Sequence, residues 1–172
     1  MAQFFHARAA DEAVAVDMSA DVARFLRVIA ADLVRVLEGG RTGGRHYRSL
    51  RTGRVFPPAY SDRRDSRGFR DRHGAVLREH IAASGRRVLA GWDGSRTVTL
   101  DHKVVRDWFI VYGHARTLYS RRPWWKWTRP LADTVIPPKS QIARNLMWLT
   151  VVRYHLAQAI VTPPGCSCGE RL

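Results

Sequence analysis

The sequence predicts a mainly α protein, a single helical bundle of about four main helices with a short β element at the N-terminus. Three observations predict it. Apolar residues recur at helical spacing in four stretches, Gly or Pro follows each stretch, and Val14 and Val16 flank Ala15 as in a strand before the first of them. The chain of 172 residues is long enough to bury a core without disulfide or metal staples. Its 45% hydrophobic and 26% charged residues exclude collagen, coiled coil and wholesale disorder.

The stretch from Phe4 to Met18 reads as a short strand or hairpin, with Asp11-Glu12 as its turn. Ser19 is a suitable N-cap for the first helix, whose Val22, Phe25, Leu26, Ile29, Leu33, Val36 and Leu37 share one face; Arg24, Arg27 and Asp32 fall on the wet side. Gly39-Gly40 ends it. Residues 39–64 form a basic loop that closes on the stiff segment Phe56-Pro57-Pro58-Ala59-Tyr60. A second helix begins near Asp62 or Asp65 and runs to about Ala90, with Phe69, His73, Val76, Leu77, His80, Ile81, Val88 and Leu89 expected inward and Trp92-Asp93-Gly94 closing it. Gly74 and Gly85 weaken that helix by about 1 kcal/mol each relative to Ala. Thr97 to Leu100 reads as a short strand or an extended lead-in. Asp101 then caps a third helix with Val104, Val105, Trp108, Phe109, Tyr112 and Tyr119 inward. A Trp-rich loop occupies residues 121–139. Ser140 opens a fourth helix to Val161, apolar on more than one face and therefore expected at the centre of the bundle. The expected domain spans residues 1–162, and residues 163–172 read as a flexible tail containing Cys166 and Cys168.

Lys and Arg number 29 against 15 Asp and Glu, a net charge of +14, and only Lys103, Lys126 and Lys139 are lysines. Such a balance points to nucleic acid, an acidic protein or an anionic surface. The excess is localised: 13 basic against four acidic residues between 41 and 87, and eight against two between 121 and 172. Arg41, Arg45, Arg48, Arg51 and Arg54 recur through the loop, and Arg63, Arg64, Arg67, Arg70 and Arg72 continue the series into the second helix. Arginines gathered on one face would displace phosphate counterions and give salt-dependent, largely sequence-independent affinity; otherwise they are a solvated face without a partner. In the second block, Trp124, Trp125, Lys126 and Trp127 mix indoles with charge between Arg121-Arg122 and Arg129. That mixture suits stacking on unpaired bases, a membrane interface, a protein hot spot, or a lid packed on the helices.

Catalytic chemistry is not legible. Gly39 to Gly44 resembles a phosphate loop in glycine content alone, since it follows a helix and no Lys-Ser/Thr pair opens the next one. His73 and His80, seven residues apart, are too distant for a metal pair on adjacent turns, and no general acid and base or nucleophile triad assembles. No catalytic residue, metal or cofactor is expected. Cys166 and Cys168 can chelate a soft metal, with His155 as another ligand, form a strained and easily reduced disulfide, or remain inert. Residues Met1 to Ala10 lack a basic segment followed by an apolar one, and the uncharged stretch Asn145 to Val152 is eight residues where a membrane span needs about 20. A cytoplasmic protein is expected.

Several elements resemble an actinobacterial domain-of-unknown-function family that includes the oxidative-stress transcriptional regulator AosR. They are the Val22 to Leu37 helix, Val55-Phe56-Pro57-Pro58-Ala59-Tyr60-Ser61-Asp62 followed by Phe69-Arg70, Val98-Thr99-Leu100-Asp101 leading to Asp107-Trp108-Phe109, and Trp148-Leu149-Thr150. The likeness spans about Val14 to Ile160, and the Phe-Pro-Pro-Ala-Tyr element is its most specific part. It implies a non-enzymatic, mostly helical cytoplasmic protein that responds to oxidation through cysteine chemistry, binds DNA and can engage a sigma factor. The reading is then a DNA-binding or transcription-associated regulator, possessing thiol redox control if Cys166 and Cys168 sense oxidation. The alternatives are an adaptor that binds an acidic protein through its basic and Trp-rich loops, and a peripheral membrane-surface protein.

Overall fold

The computed structural model describes residues 3–10, 13–39, 55–56, 60–119 and 141–161. Among them, four helices and a small antiparallel sheet follow the order β1 (Phe5–Ala10), β2 (Ala13–Met18), α1 (Ala20–Leu37), α2 (Arg63–Gly91), β3 (Thr97–Asp101), α3 (His102–Tyr119) and α4 (Gln141–Val161). The protein is mostly helical, and the helical spans expected from periodicity are the ones observed.

The N-terminal strands pair Ala7 with Val16, and β3 joins the other edge of β2, placing Val98 opposite Val16 and Leu100 opposite Val14. Alternate residues therefore share a face. Phe5, Val14, Val16, Met18 and Leu100 are buried, while His6, Arg8, Asp17, Thr97 and Thr99 look outward.

Cap chemistry marks two helix starts, and the third falls at the expected residue without a side-chain cap bond. Asp62 accepts from the Arg64 and Asp65 N–H groups at 2.7 and 2.9 Å, and Asp101 from the Val104 N–H at 2.8 Å. Ser19 has the extended backbone of an N-cap, but its hydroxyl makes no cap bond; its N–H donates to the Phe4 carbonyl instead. α1 ends where Gly39 takes φ +82°, a left-handed geometry that glycine adopts without a Cβ penalty.

α1 buries the expected stripe around Leu26, Ile29 and Leu33. Two of its residues expected in water are instead tied to neighbours. Arg27 donates to the Leu89 and Trp92 carbonyls at the end of α2, a cation placed at the negative pole of that helix, and Asp32 accepts from the Tyr119 hydroxyl at 3.0 Å. α3 is the element that touches most others: it packs against α1, α2, α4, β2 and β3. Its fully buried Trp108 lies between Trp92 and Tyr112, with ring centroids 4.9 and 5.4 Å away. α4, expected at the centre, lies to one side against α3 and β1. Among its residues 146–161 it buries Leu149, Val152, Leu156 and Ala159 and leaves Met147, Tyr154, Ile160 and Val161 exposed. Apolar content on several faces did not translate into burial on all of them.

α2 departs furthest from expectation. Ile81 and Val88 are buried, but His73, Val76, Leu77 and His80 are exposed. Gly85 is a packing contact: a Cβ there would overlap Val34 Cγ2 of α1. α1 meets α2 from Arg27 at Trp92 to Glu38 at Arg86, so the turns of α2 before Glu79 lie past the end of α1.

Candidate nucleic-acid interface

The projecting half of α2 begins at Asp62 and carries Arg63, Arg64, Arg67, Arg70, Arg72 and Arg78, all exposed. At about 100° per residue, Arg63, Arg67, Arg70 and Arg78 share a sector of about 80°, with Arg64 at its margin. They extend along about 22 Å of helix at about 1.5 Å per residue. The same sector continues as Ile81, Gly85 and Val88, which pack inward. One helical stripe thus changes from cationic to apolar where α1 begins to cover it.

Among the described residues none of these six arginines forms a salt bridge, whereas Arg24, Arg35, Arg86 and Arg87 all do. Arg86 holds Glu38 at 2.6 Å and Glu79 at 2.5 Å, which occupies the carboxylate nearest Arg78 in sequence. Those bonds raise the Arg86 pKa. Asp62 is engaged by backbone N–H groups, leaving Asp65 and Asp71 as the other acids of this half. Among the described residues the arrangement presents a face with an excess of cations.

A local clamp shapes the start of this face. Buried Ser66 accepts from the Tyr60 N–H at 2.9 Å and donates its hydroxyl to the Tyr60 carbonyl at 2.8 Å, holding that residue beside the first turns of α2. The Tyr60 ring meets Phe69 edge-on at 5.9 Å, and Phe69 meets His73 at 4.8 Å. Tyr60, Arg64, Asp65, Gly68 and Arg72 line an open hollow of about 360 Å³.

Other ionisable groups lie deeper. Burial lowers the Arg116 pKa, and Arg153 lowers it further; burial likewise lowers Arg153, whose guanidinium sits 4.9 Å above the Phe109 ring. His114 is lowered by burial and by nearby Arg153 and His80, against the opposing bond to the Val55 backbone. Arg87 grips Asp107 through two bonds of 2.7 Å. Burial pushes Asp107 up, but the bonds from Arg87 and Ser84 outweigh it and hold the carboxyl below its ordinary value.

Of the residues expected to bind nucleic acid, Arg63, Arg64 and Arg67 lie together on α2. Arg41, Arg45, Arg48, Arg51 and Arg54 lie outside the described residues, as do Trp124, Trp125, Lys126, Trp127, Cys166 and Cys168. Among the described residues no group of three His, Cys, Asp or Glu could hold a metal, and no helix is long and apolar enough to cross a membrane. Sequence reasoning overlooked Arg78, Ser66 and Gly68. Helical projection would have placed Arg78 with Arg63 and Arg67, but nothing in the sequence distinguishes Ser66 from an ordinary helix serine.

No curated protein and no solved structure matches the chain. A family model does, the domain of unknown function DUF2017, which covers residues 1–159 and hence every described element except the last two residues of α4. The chain belongs to the DUF2017 family.

Proposed function

We propose that this protein is a non-enzymatic, cytoplasmic DNA-binding regulator of transcription, as its resemblance to the family that includes AosR implies. The supporting observation is the row of arginines on the projecting half of α2 that have no salt-bridge partner among the described residues, which suits a row of phosphates and continues the basic series of residues 41–54. The proposal includes a redox input through Cys166 and Cys168, two thiols one residue apart, and a transcription protein such as a sigma factor as partner. The test is binding to a labelled duplex across a salt series, with reduced and peroxide-treated protein. Expected are steep salt dependence and an affinity that changes reversibly on oxidation, with the oxidative change abolished in Cys166→Ser/Cys168→Ser. Absence of binding in either state at physiological salt refutes the reading.

A second reading, an adaptor for an acidic protein, is favoured by exposed Leu77, about 20° around the helix from Arg70, and by Val76, 71% exposed, one turn from Arg72 on the other side. An acidic amphipathic segment would meet both its charge and its apolar face. A pulldown lost in Val76→Ser/Leu77→Ser, with DNA affinity intact, would select it.

A further inference from the structure

The hollow at the start of α2 has a composition that phosphate attraction alone does not explain. Tyr60, 51% exposed, supplies an aromatic wall, and Arg64 and Arg72 supply two guanidinium groups without salt-bridge partners among the described residues. Gly68 has no side chain to fill the floor, where a Cβ would lie 3.5 Å from Arg72 Nη1. Asp65 contributes a carboxylate that repels a second phosphate and accepts from an N–H on a base edge. The volume of about 360 Å³ lies within the range of small-ligand pockets, about 300 to 1,000 Å³.

Tyr60 is also held in advance. Its backbone is bonded in both directions to buried Ser66, and its ring rests on Phe69, so little ordering remains when a ligand stacks on it. A ring wall beside two cations and one carboxylate matches the parts of a nucleotide: a flat base, its hydrogen-bonding edge and an adjacent phosphate. A base stacked in a duplex offers no free face for an aromatic ring, which an unpaired base does.

We infer that the hollow lined by Tyr60, Arg64, Asp65, Gly68 and Arg72 seats one unpaired nucleotide of a single-stranded nucleic acid. This rests on the nucleic-acid reading above and narrows it, because the arginine row serves any phosphate backbone while the hollow serves only an unstacked base. The base lies against Tyr60 with its N–H edge toward Asp65, and Arg64 and Arg72 take the flanking phosphate.

The test measures full-length protein binding to labelled oligo-dC and oligo-rC strands and to a duplex of the same length, at one fixed salt concentration. The variants are Gly68→Leu, which fills the floor, and Tyr60→Leu, which keeps bulk but removes the stacking face. Thermal melting of each variant checks the fold, and Gly68→Met, which also fills the floor with a better helix former than glycine, provides a second route should either melt early. Each is expected to weaken one or both single strands by at least about fivefold, the lower end of one base stack, and to leave duplex affinity within about twofold. Single-strand affinity unchanged in folded Gly68→Leu and Tyr60→Leu overturns the inference while the arginine-row reading stands. Failure of the wild type to bind any of the probes overturns both.

Discussion

Replacing Arg63, Arg67, Arg70 and Arg78 with glutamine removes four cations from one sector of α2 and leaves its buried residues, Ile81, Gly85 and Val88, untouched. Arginine and glutamine have similar helix propensities, and none of the four makes a salt bridge among the described residues, so the variant should melt close to the wild type. Each phosphate neutralised on B-DNA contributes about 0.9 to the slope of log affinity against log salt. If all four side chains reach phosphates, the slope falls in magnitude by about 3.6, so over a fourfold rise in salt the wild type loses about 150-fold more affinity than the variant. Spacing is compatible with that count: about 22 Å of helix passes several phosphates of a strand. Fluorescence anisotropy with a labelled duplex at a series of salt concentrations reads the slope directly. A folded variant with the wild-type slope would refute the reasoning and move the phosphate contacts off α2.

The two glycines of α2 should respond with opposite sign. Gly68→Ala gains helix propensity at the cost of only an ordinary contact with the Arg72 guanidinium and should raise stability by about 0.5 to 1 kcal/mol, whereas Gly85→Ala drives a Cβ into Val34 Cγ2 and should lose a net 1 to 2 kcal/mol, roughly, in chemical denaturation. Asp107→Asn should cost about 1 to 2 kcal/mol, less than a fully buried pair because Arg87 is 56% exposed. The depressed Asp107 pKa contributes stability that is complete above the unfolded value near 3.9 and is lost as pH falls through the lower folded value, so acid titration of stability should flatten in the variant. His114 and His155 are also depressed, both chiefly by burial, with like charges adding to it. Their contribution is complete above the unfolded value near 6.5 and declines as pH falls toward the folded values; melting temperatures across that window should fall less steeply in His114→Gln/His155→Gln.

Local chemistry determined much of this protein from its sequence. Four helices follow from apolar spacing, the starts of α2 and α3 from the carboxylates of Asp62 and Asp101, the end of α1 from Gly39, and the concentration of arginine in α2 from simple counting. Periodicity and capping act within a few residues, so they are legible without a fold. The tertiary structure alone decided what each stripe meets. Val98 joins a strand more than 80 residues earlier, α3 takes the middle position that apolar content suggested for α4, and Arg27 reaches the far end of α2. The candidate site divides in the same way. Arg63, Arg64 and Arg67 were readable as cations, but their exposure arises because α1 stops beside Arg86, and the hollow exists because Ser66 holds Tyr60 beside the first turns of α2. A helical stripe records which side chains lie in line; only the lengths and positions of its neighbours decide how much of that line is covered.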